Sequence, residues 1–355
     1  MRAMFFTEHG EPSNLLIGDR PSPSPGPGEA VVAVEAAALN HLDLFVLRGL
    51  PGATIPLPHV PGADGAGTVA AVGAGVRGWR EGDEVVINPG LWCGACEFCV
   101  RGEESLCVRF AITGEHVDGT LAEFVKVPAR NLANKPPHLS WVEAAAFPLT
   151  FLTAWRMLVT RGQLEKGQTV LIHGIGGGLA VAALLIAKRL GATVIVTSSS
   201  EAKLRRGREL GADEAVNYRD ADVVREVRAL TGKRGADLVV ETVGEATWLA
   251  SLRCCAKGGR VVTCGATTGP NPREEIRLIF WNQLSILGST MGGARDWDGM
   301  LQAVRDWKLR PVVDRAVPLE RGKDAFDLLA NGGQFGKIVV TVRRPAAAVG
   351  EPDRA

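Results

Sequence analysis

Four cysteines close together carry the most specific chemistry in this chain. They lie in the stretch CGACEFCVRGEESLC and are Cys93, Cys96, Cys99 and Cys107. Two-residue gaps let neighbouring thiolates reach one ion, and four thiolates complete the tetrahedral shell that Zn²⁺ prefers. A closed shell of this kind leaves no place for a substrate, so the predicted zinc is structural. An iron–sulfur cluster is the alternative, but no proline follows the fourth cysteine and no second cluster set is present.

A glycine-rich turn between an apolar strand and a helix predicts a dinucleotide site. The apolar run Thr169–His173 is followed by Gly174, Gly176, Gly177 and Gly178, and then by an aliphatic run of helical length that ends before Gly191. A second apolar run, Thr193–Thr197, completes a βαβ unit. The pyrophosphate of a dinucleotide binds at the helix N-terminus of such a unit.

The turn departs from the usual fingerprint G-x-G-x-x-G/A. In the best register Ile175 stands in the first glycine position, so Gly174 and Gly176 are expected to form the tight turn instead. An ordinary glycine-rich turn is the alternative. The complete order of strand, turn, helix and strand favours the cofactor site.

The end of the second strand predicts which nicotinamide coenzyme is bound. An NAD site has a carboxylate there to accept from the ribose 2′-hydroxyl. This chain has Ser198 and Ser199 instead, with no acid before Glu201, and Lys203 follows. Hydroxyls and a cation suit a 2′-phosphate, so the sequence predicts NADP(H). Serines that only cap the following helix are the alternative.

The elements that position these residues indicate two kinds of domain. Up to about residue 147, short β runs are separated by Gly, Pro and Asp turns, which is typical of a small β domain. Beyond it, helices alternate with six apolar strands, which predicts an α/β fold with a doubly wound, six-stranded parallel sheet. The six strands are Thr169–His173, Thr193–Thr197, Ala215–Asn217, Asp237–Glu241, Arg260–Cys264 and Ser285–Gly288.

Composition excludes several classes of partner. Lys+Arg is 40 against Asp+Glu 39, which gives no reason to expect nucleic acid or an anionic membrane surface as a partner. No apolar run has the length of a membrane span, and the N-terminal stretch MRAMFFTEHG lacks the pattern of a signal peptide. A cytoplasmic location is expected, with a small-molecule substrate.

Several separated motifs resemble the medium-chain dehydrogenase/reductase superfamily, which includes zinc alcohol dehydrogenases and quinone reductases. The resemblance covers residues 1–343, and its markers appear in the family's order. They are GADGAGTVAAVG at 62–73, GDEV at 82–85, the cysteine lobe at 90–110, FLTAW at 151–155, LGAD at 210–213 and FGK at 335–337.

The resemblance implies a domain plan and an assembly. A GroES-like β domain is expected from residues 1–147 and 290–343, with a Rossmann domain inserted at 148–289 and a disordered tail at 344–355. Subunits are expected to associate through the edge strand Ser285–Gly288, as a homodimer or homotetramer. The resemblance also implies further cofactor-binding residues, which are Thr153, Leu179, Tyr218, Gly265 and Lys337.

The catalytic-zinc ligands of the superfamily are missing. Zinc alcohol dehydrogenases use a cysteine in C-H-x-D, a histidine in G-H-E and a later cysteine or acidic residue. Here Asn40 replaces that cysteine in the segment Asn40–Asp43, Ala63 replaces the histidine, and no ligand stands near Pro148. We therefore expect the structural zinc but no catalytic zinc.

Four residues remain candidates for catalysis. Asn40 is either an amide donor near the nicotinamide or substrate oxygen, or a structural residue of a turn. His41, Asp43 or His59 are expected to relay the proton; the same three side chains form an atypical metal site in one alternative. A pocket or loop role for His59 is favoured because no third ligand has matching spacing.

The sequence thus predicts an NADPH-dependent reductase that transfers hydride to a carbonyl, a quinone or an activated alkene. A zinc-dependent alcohol dehydrogenase with rearranged ligands is one alternative, and a non-catalytic NADPH-binding protein is another. Large aromatic residues are the expected pocket walls, namely Trp92, Phe151, Trp155, Phe280 and Trp281.

Overall fold

The structure is a computed structural model that describes residues 1–50, 52 and 54–343. The tail predicted to be disordered, 344–355, lies outside these described residues. The strands in chain order are β1 (Arg2–Phe5), β2 (Leu16–Asp19), β3 (Glu29–Ala38), β4 (Asp64–Val72), β5 (Glu84–Ile87), β6 (Gly90–Leu91), β7 (Ala111–Ile112), β8 (Phe124–Pro128), β9 (Leu132–Asn134), β10 (Thr169–Ile172), β11 (Thr193–Ser198), β12 (Glu214–Asn217), β13 (Ala236–Glu241), β14 (Cys255–Thr263), β15 (Ser285–Gly288), β16 (Val313–Pro318) and β17 (Lys337–Thr341).

Helices connect these strands, and most of them lie in the second half of the chain. They are α1 (His41–Arg48), α2 (Glu97–Val100), α3 (Trp141–Ala146), α4 (Pro148–Trp155), α5 (Gly178–Arg189), α6 (Glu201–Glu209), α7 (Val223–Leu230), α8 (Trp248–Cys254), α9 (Ile276–Asn282), α10 (Ala294–Asp306) and α11 (Gly322–Ala330). A π-helical turn, Arg156–Arg161, continues α4. None of the helices in the described ranges is both long enough and apolar enough to cross a membrane.

Six strands form the predicted parallel sheet, in the order β12-β11-β10-β13-β14-β15. Alternate residues of its central strand face opposite sides: Val170 and Ile172 pack into one apolar cluster, and Leu171 packs into another. Because both faces are covered, the strands are apolar throughout rather than alternating. The sheet confirms the doubly wound fold, and β10 and β11 stand next to each other in register from Thr169 and Thr193.

A second sheet is built from both ends of the chain. Its order is β16-β17-β3-β4-β5-β9, and β8 also pairs with β3. The late strand β17 pairs antiparallel with the early strand β3, so that Val339 lies opposite Ala38. This pairing confirms the GroES-like β architecture, and it carries the first residue of β17, Lys337, to the end of β3 that precedes α1.

Candidate functional site

A cleft of about 800 Å³ runs between the glycine-rich turn and the start of α1. It brings together most of the residues that the sequence predicted for catalysis and cofactor binding. Those that line it are Asn40, His41, Thr153, Gly174, Gly177, Gly178, Leu179, Lys203, Tyr218, Gly265 and Lys337. The carboxyl ends of the parallel strands open into this cleft, as expected for ligand sites in open α/β sheets.

The segment Asn40–Asp43 forms the capped start of helix α1. Asn40 precedes α1, and its backbone amide donates to Oδ2 of Asp43 at 2.7 Å. The other carboxylate oxygen of Asp43 accepts from the amide of Gly62 at 3.0 Å. Burial raises the pKa of Asp43 to about 7, although these amides oppose the shift. Asp43 is therefore a buried residue that positions Asn40, and it does not itself line the cleft.

Lys337, Asp64 and Asn40 form one buried polar network. The ammonium of Lys337 donates to Oδ1 of Asn40 at 2.5 Å and to Oδ2 of Asp64 at 2.7 Å. The amide of Asn40 in turn donates to Oδ2 of Asp64 at 3.0 Å. The side chains of Lys337 and Asp64 are 4% and 0% exposed. Removal of one partner of an ion pair this deeply buried leaves the other charge buried and unpaired, which is strongly destabilising.

His41 is a titratable side chain that lines the cleft. Partial desolvation within the cleft, and then the positive charge of Lys337, lower the pKa of His41. The imidazole is therefore neutral at pH 7, and a neutral imidazole can both donate and accept a proton. The structure keeps His41 as a candidate for proton transfer.

The structure does not bring His59 to the cleft. Its ring is buried, with Nε2 3.0 Å from the carbonyl oxygen of Gly114, and it packs against Phe6 with ring centroids 5.5 Å apart. Burial lowers the pKa of His59 and keeps the ring neutral. The structure gives no support to a catalytic role for His59, because its ring packs inside the β domain and does not line the cleft.

Gly174 and Gly176 form the tight turn, as the departure from the fingerprint indicated. Their φ angles are +68° and +127°, a region that residues with a Cβ rarely adopt. Gly176 is not among the residues that line the cleft, and its carbonyl oxygen accepts from the amide of Gly336 at 2.8 Å. A Cβ on Gly178 would lie 2.7 Å from Cδ of Lys337. The turn therefore packs directly against the chain that carries Lys337.

The predicted 2′-phosphate residues cluster at the end of β11. Lys203 and Tyr218 line the cleft, and the ammonium of Lys203 donates to the carbonyl oxygen of Gly332 at 2.7 Å. Ser198 is buried and accepts from the amide of Ser200 at 3.2 Å, while Ser199 lies between them on the chain. Ser200 caps α6, so part of the serine run has the capping role that was the alternative.

Two further features of the cleft were missed from the sequence. Gln334 belongs to its wall, and Oε1 of this residue is buried with no hydrogen-bond partner among the described residues. The apolar walls are not the predicted aromatic residues, because Phe151 is buried in the core and Trp281 is on the surface. The actual walls include Phe45, Phe110, Ile112, Leu149 and Met291.

The four cysteines form one cluster. A ligand atom from each lies within 4.8 Å of the others, and Sγ of Cys99 is 3.6 Å from that of Cys96 and 3.9 Å from that of Cys93. Tetrahedral Zn–S bonds of about 2.3 Å require sulfur atoms about 3.8 Å apart. Amide hydrogen bonds from Ala95 and Cys96 lower the pKa of Cys93 to about 5, whereas desolvation raises the pKa of Cys99 to about 12, so the arrangement of the four sulfur atoms carries the assignment. The cluster fits a zinc ion.

Comparisons with known proteins agree with this geometry. Residues 26–137 match the family model for the alcohol dehydrogenase GroES-like domain, and residues 178–306 match that for zinc-binding dehydrogenase. An NAD-dependent alcohol dehydrogenase of Sulfurisphaera tokodaii is 33% identical over 96% of this chain and 99% of its own. A crotonyl-CoA carboxylase/reductase of Cereibacter sphaeroides is also 33% identical, over 95% of this chain and 86% of its own.

A solved structure of an NAD-dependent alcohol dehydrogenase is more similar. It is 49% identical, with a TM-score of 0.93 over 97% of this chain and 100% of that one. The motifs, the two sheets and these relatives lead to one assignment. The chain belongs to the medium-chain dehydrogenase/reductase superfamily and is an NAD(P)-dependent oxidoreductase.

Proposed function

We propose that this enzyme is an NADPH-dependent reductase of a carbonyl, a quinone or an activated alkene, and that its chemistry uses no catalytic zinc. The observation that carries the proposal is the donor set where relatives of the zinc type hold their metal. Asn40 stands in the position of the cysteine ligand, and its amide is already bonded to Lys337 and Asp64. Ala63 offers only a buried methyl group in the position of the histidine.

The protein's own residues then have defined tasks. The bound coenzyme supplies hydride, and the turn at Gly174–Gly178 would hold its pyrophosphate at the N-terminus of α5. Lys337 presents a hydrogen-bond donor to the cleft and is held there by Asn40, while the neutral His41 is placed to pass a proton. Phe110, Ile112 and Met291 give this part of the cleft an apolar wall that suits an uncharged substrate.

A panel of substrates tests the proposal. Purified enzyme is incubated with NADPH and an aldehyde, an enone or a quinone, and oxidation of the coenzyme is followed by its absorbance. Turnover with one member supports the proposal. Coenzyme binding without turnover on any member would favour a non-catalytic protein instead. A second zinc per chain would favour the alcohol dehydrogenase with rearranged ligands.

The proposed preference for NADPH over NADH rests on Lys203 and on the absence of an acidic residue at the end of β11. We expect kcat/KM for NADPH to exceed that for NADH, because an ammonium and serine hydroxyls suit a phosphate and no carboxylate is present to hold a free 2′-hydroxyl. Lys203→Met should lower kcat/KM for NADPH about 30-fold, the size of one charge-assisted contact. The value for NADH should change less than about 3-fold, because NADH carries no 2′-phosphate.

A matched control variant distinguishes loss of the phosphate contact of Lys203 from the general effect of losing one positive charge. Lys257 is exposed and lies in β14 of the same sheet, so Lys257→Met should leave both values unchanged. Equal loss with NADPH and NADH in Lys203→Met would contradict the proposed phosphate contact and assign Lys203 to its bond with Gly332.

We also propose a homodimer or homotetramer joined through β15. This strand is the last of its sheet, and the neighbouring helix α9 exposes 62% of Phe280 and 75% of Trp281. Exposed apolar patches beside a free sheet edge mark association surfaces. Light scattering should give an oligomer for the native chain and a smaller species for the double variant Phe280→Glu, Trp281→Glu. A native monomer would rule the assembly out.

The proposed enzyme holds one structural zinc per chain and acts in the cytoplasm. Support for both comes from the four thiols of the cluster, which are arranged for a metal and suit a reducing compartment.

A further inference from the structure

We propose that the ammonium of Lys337 takes the place of the catalytic metal, as the positive donor to the substrate oxygen that gains charge. The inference rests on the proposed function, and it names the group that performs the metal's task. It changes the role expected for Lys337 from the sequence, where it was counted among the cofactor-binding residues.

The position of the ammonium supports this role. Nζ of Lys337 lies 2.5 Å from Oδ1 of Asn40, the residue that replaces the cysteine ligand of the zinc-dependent relatives. It also lies 2.7 Å from Oδ2 of Asp64, the acid that directly follows Ala63 in the replaced histidine motif. A positive charge therefore occupies the space between two of the altered ligand motifs.

One of the N–H groups of the Lys337 ammonium has no acceptor among the described residues. A lysine ammonium has three N–H groups. Two of them are directed to Asn40 and Asp64, and the described residues supply no third acceptor. Because Lys337 lines the cleft, the third N–H is available to an oxygen bound there.

The ammonium is held in place before any substrate arrives. Asp64 is fixed through its second carboxylate oxygen, which accepts from the amide of Leu149 at 2.7 Å. The backbone of Lys337 donates to the carbonyl oxygen of Val312 at 2.9 Å. Donors fixed in a buried site stabilise developing charge without reorganisation during the reaction.

With a carbonyl substrate, the reaction is a two-electron reduction of the C=O bond. Hydride from the reduced coenzyme bonds to the carbonyl carbon, and the π electron pair of the C=O bond moves onto oxygen. That oxygen accepts the third N–H of Lys337 as a hydrogen bond while its negative charge develops. A solvent proton then completes the hydroxyl group, either from water directly or through the neutral His41, which gives up its N–H proton as its other ring nitrogen accepts one from water. The carbonyl is thus reduced by two electrons and the coenzyme is oxidised by two.

Substitution of Lys337 tests the inference by two independent readouts. Affinity for NADPH is measured without substrate, from the fluorescence of the bound reduced nicotinamide, and kcat is measured with benzaldehyde, cyclohexenone and benzoquinone. Lys337→Met should lower kcat about 100-fold, the usual loss for one oxyanion donor, with the Kd for NADPH changed less than about 3-fold. Lys337→Arg keeps the charge and should recover part of kcat.

Two control variants accompany the substitution of Lys337. Lys337→Met leaves Asp64 buried without its partner, so it is repeated together with Asp64→Asn, which removes that charge. The double variant should be folded and should still show the loss of kcat. Lys135→Met removes another largely buried lysine, which is bonded to Glu84 and the carbonyl of Leu139, and should leave kcat unchanged.

Two results would overturn the inference. One is an unchanged kcat in a folded Lys337→Met, Asp64→Asn variant. The other is a Kd for NADPH raised 10-fold or more while kcat is kept, since this would return Lys337 to coenzyme binding. Either result leaves turnover by the unaltered enzyme, and hence the proposed function, in place.

Zinc binding by variants with restored ligands tests whether the ammonium of Lys337 occupies the metal's place. This test does not require turnover by the unaltered enzyme. Asn40→Cys with Ala63→His restores two zinc ligands while Lys337 is kept, and adding Lys337→Met removes the ammonium. A second zinc that binds only after Lys337 is removed supports the inference. A second zinc bound equally well with Lys337 present would show that the ammonium does not stand in the metal's place.

Discussion

Replacing Cys99 by serine is expected to release the structural zinc and to lower the free energy of unfolding by about 4 kcal/mol or more. The lobe around the cluster has little apolar core of its own, since Val100 and Val108 are 76% and 69% exposed. We therefore expect its fold to depend on the bound metal, and loss of one of four thiolates should open the shell.

Zinc content and urea unfolding check this expectation together. Cys264→Ser serves as the control, because Cys264 lies outside the cluster and its replacement should leave zinc bound. A Cys99→Ser variant that kept both its zinc and its unfolding midpoint would contradict a structural metal at this site.

Replacing Asp64 by alanine is expected to lower the free energy of unfolding by about 3–5 kcal/mol, because it leaves the ammonium of Lys337 buried without a counter-charge. The amide of Leu149 would also lose its acceptor. Thermal and urea unfolding measure the loss directly.

Two companion variants identify the cause of that loss. Asp64→Asn keeps an acceptor for Lys337 and should be less destabilising than Asp64→Ala. Adding Lys337→Met to Asp64→Ala removes the stranded charge and should recover part of the stability. Equal stability of Asp64→Ala and the unaltered chain would show that the pair is not buried as described.

The sheets could be predicted because their signals are local. A strand covered on both faces is a short run of apolar residues, and a turn that needs positive φ selects glycine. All six strands of the parallel sheet were therefore recognisable, and so was the turn at Gly174–Gly178. The cysteine cluster was equally clear, since its ligands lie close together along the chain.

The polar network of the cleft could not be predicted in the same way. Asn40 and Lys337 are 297 positions apart, and only the pairing of β17 with β3 brings them together. The burial of His59 away from the cleft was unpredictable for a related reason, since a histidine between prolines does not show which way its ring faces. The apolar walls were missed because large aromatic residues are found in cores and on association surfaces as well as in pockets.

The number of zinc ions per chain tests the central claim most directly, which is that the chemistry proceeds without a catalytic metal. The enzyme is purified from medium supplemented with zinc, and its metal content is measured by mass spectrometry beside its turnover of NADPH. We predict one zinc per chain, with activity unchanged by further zinc. Two zinc ions per chain, with activity that depends on the second, would contradict the account.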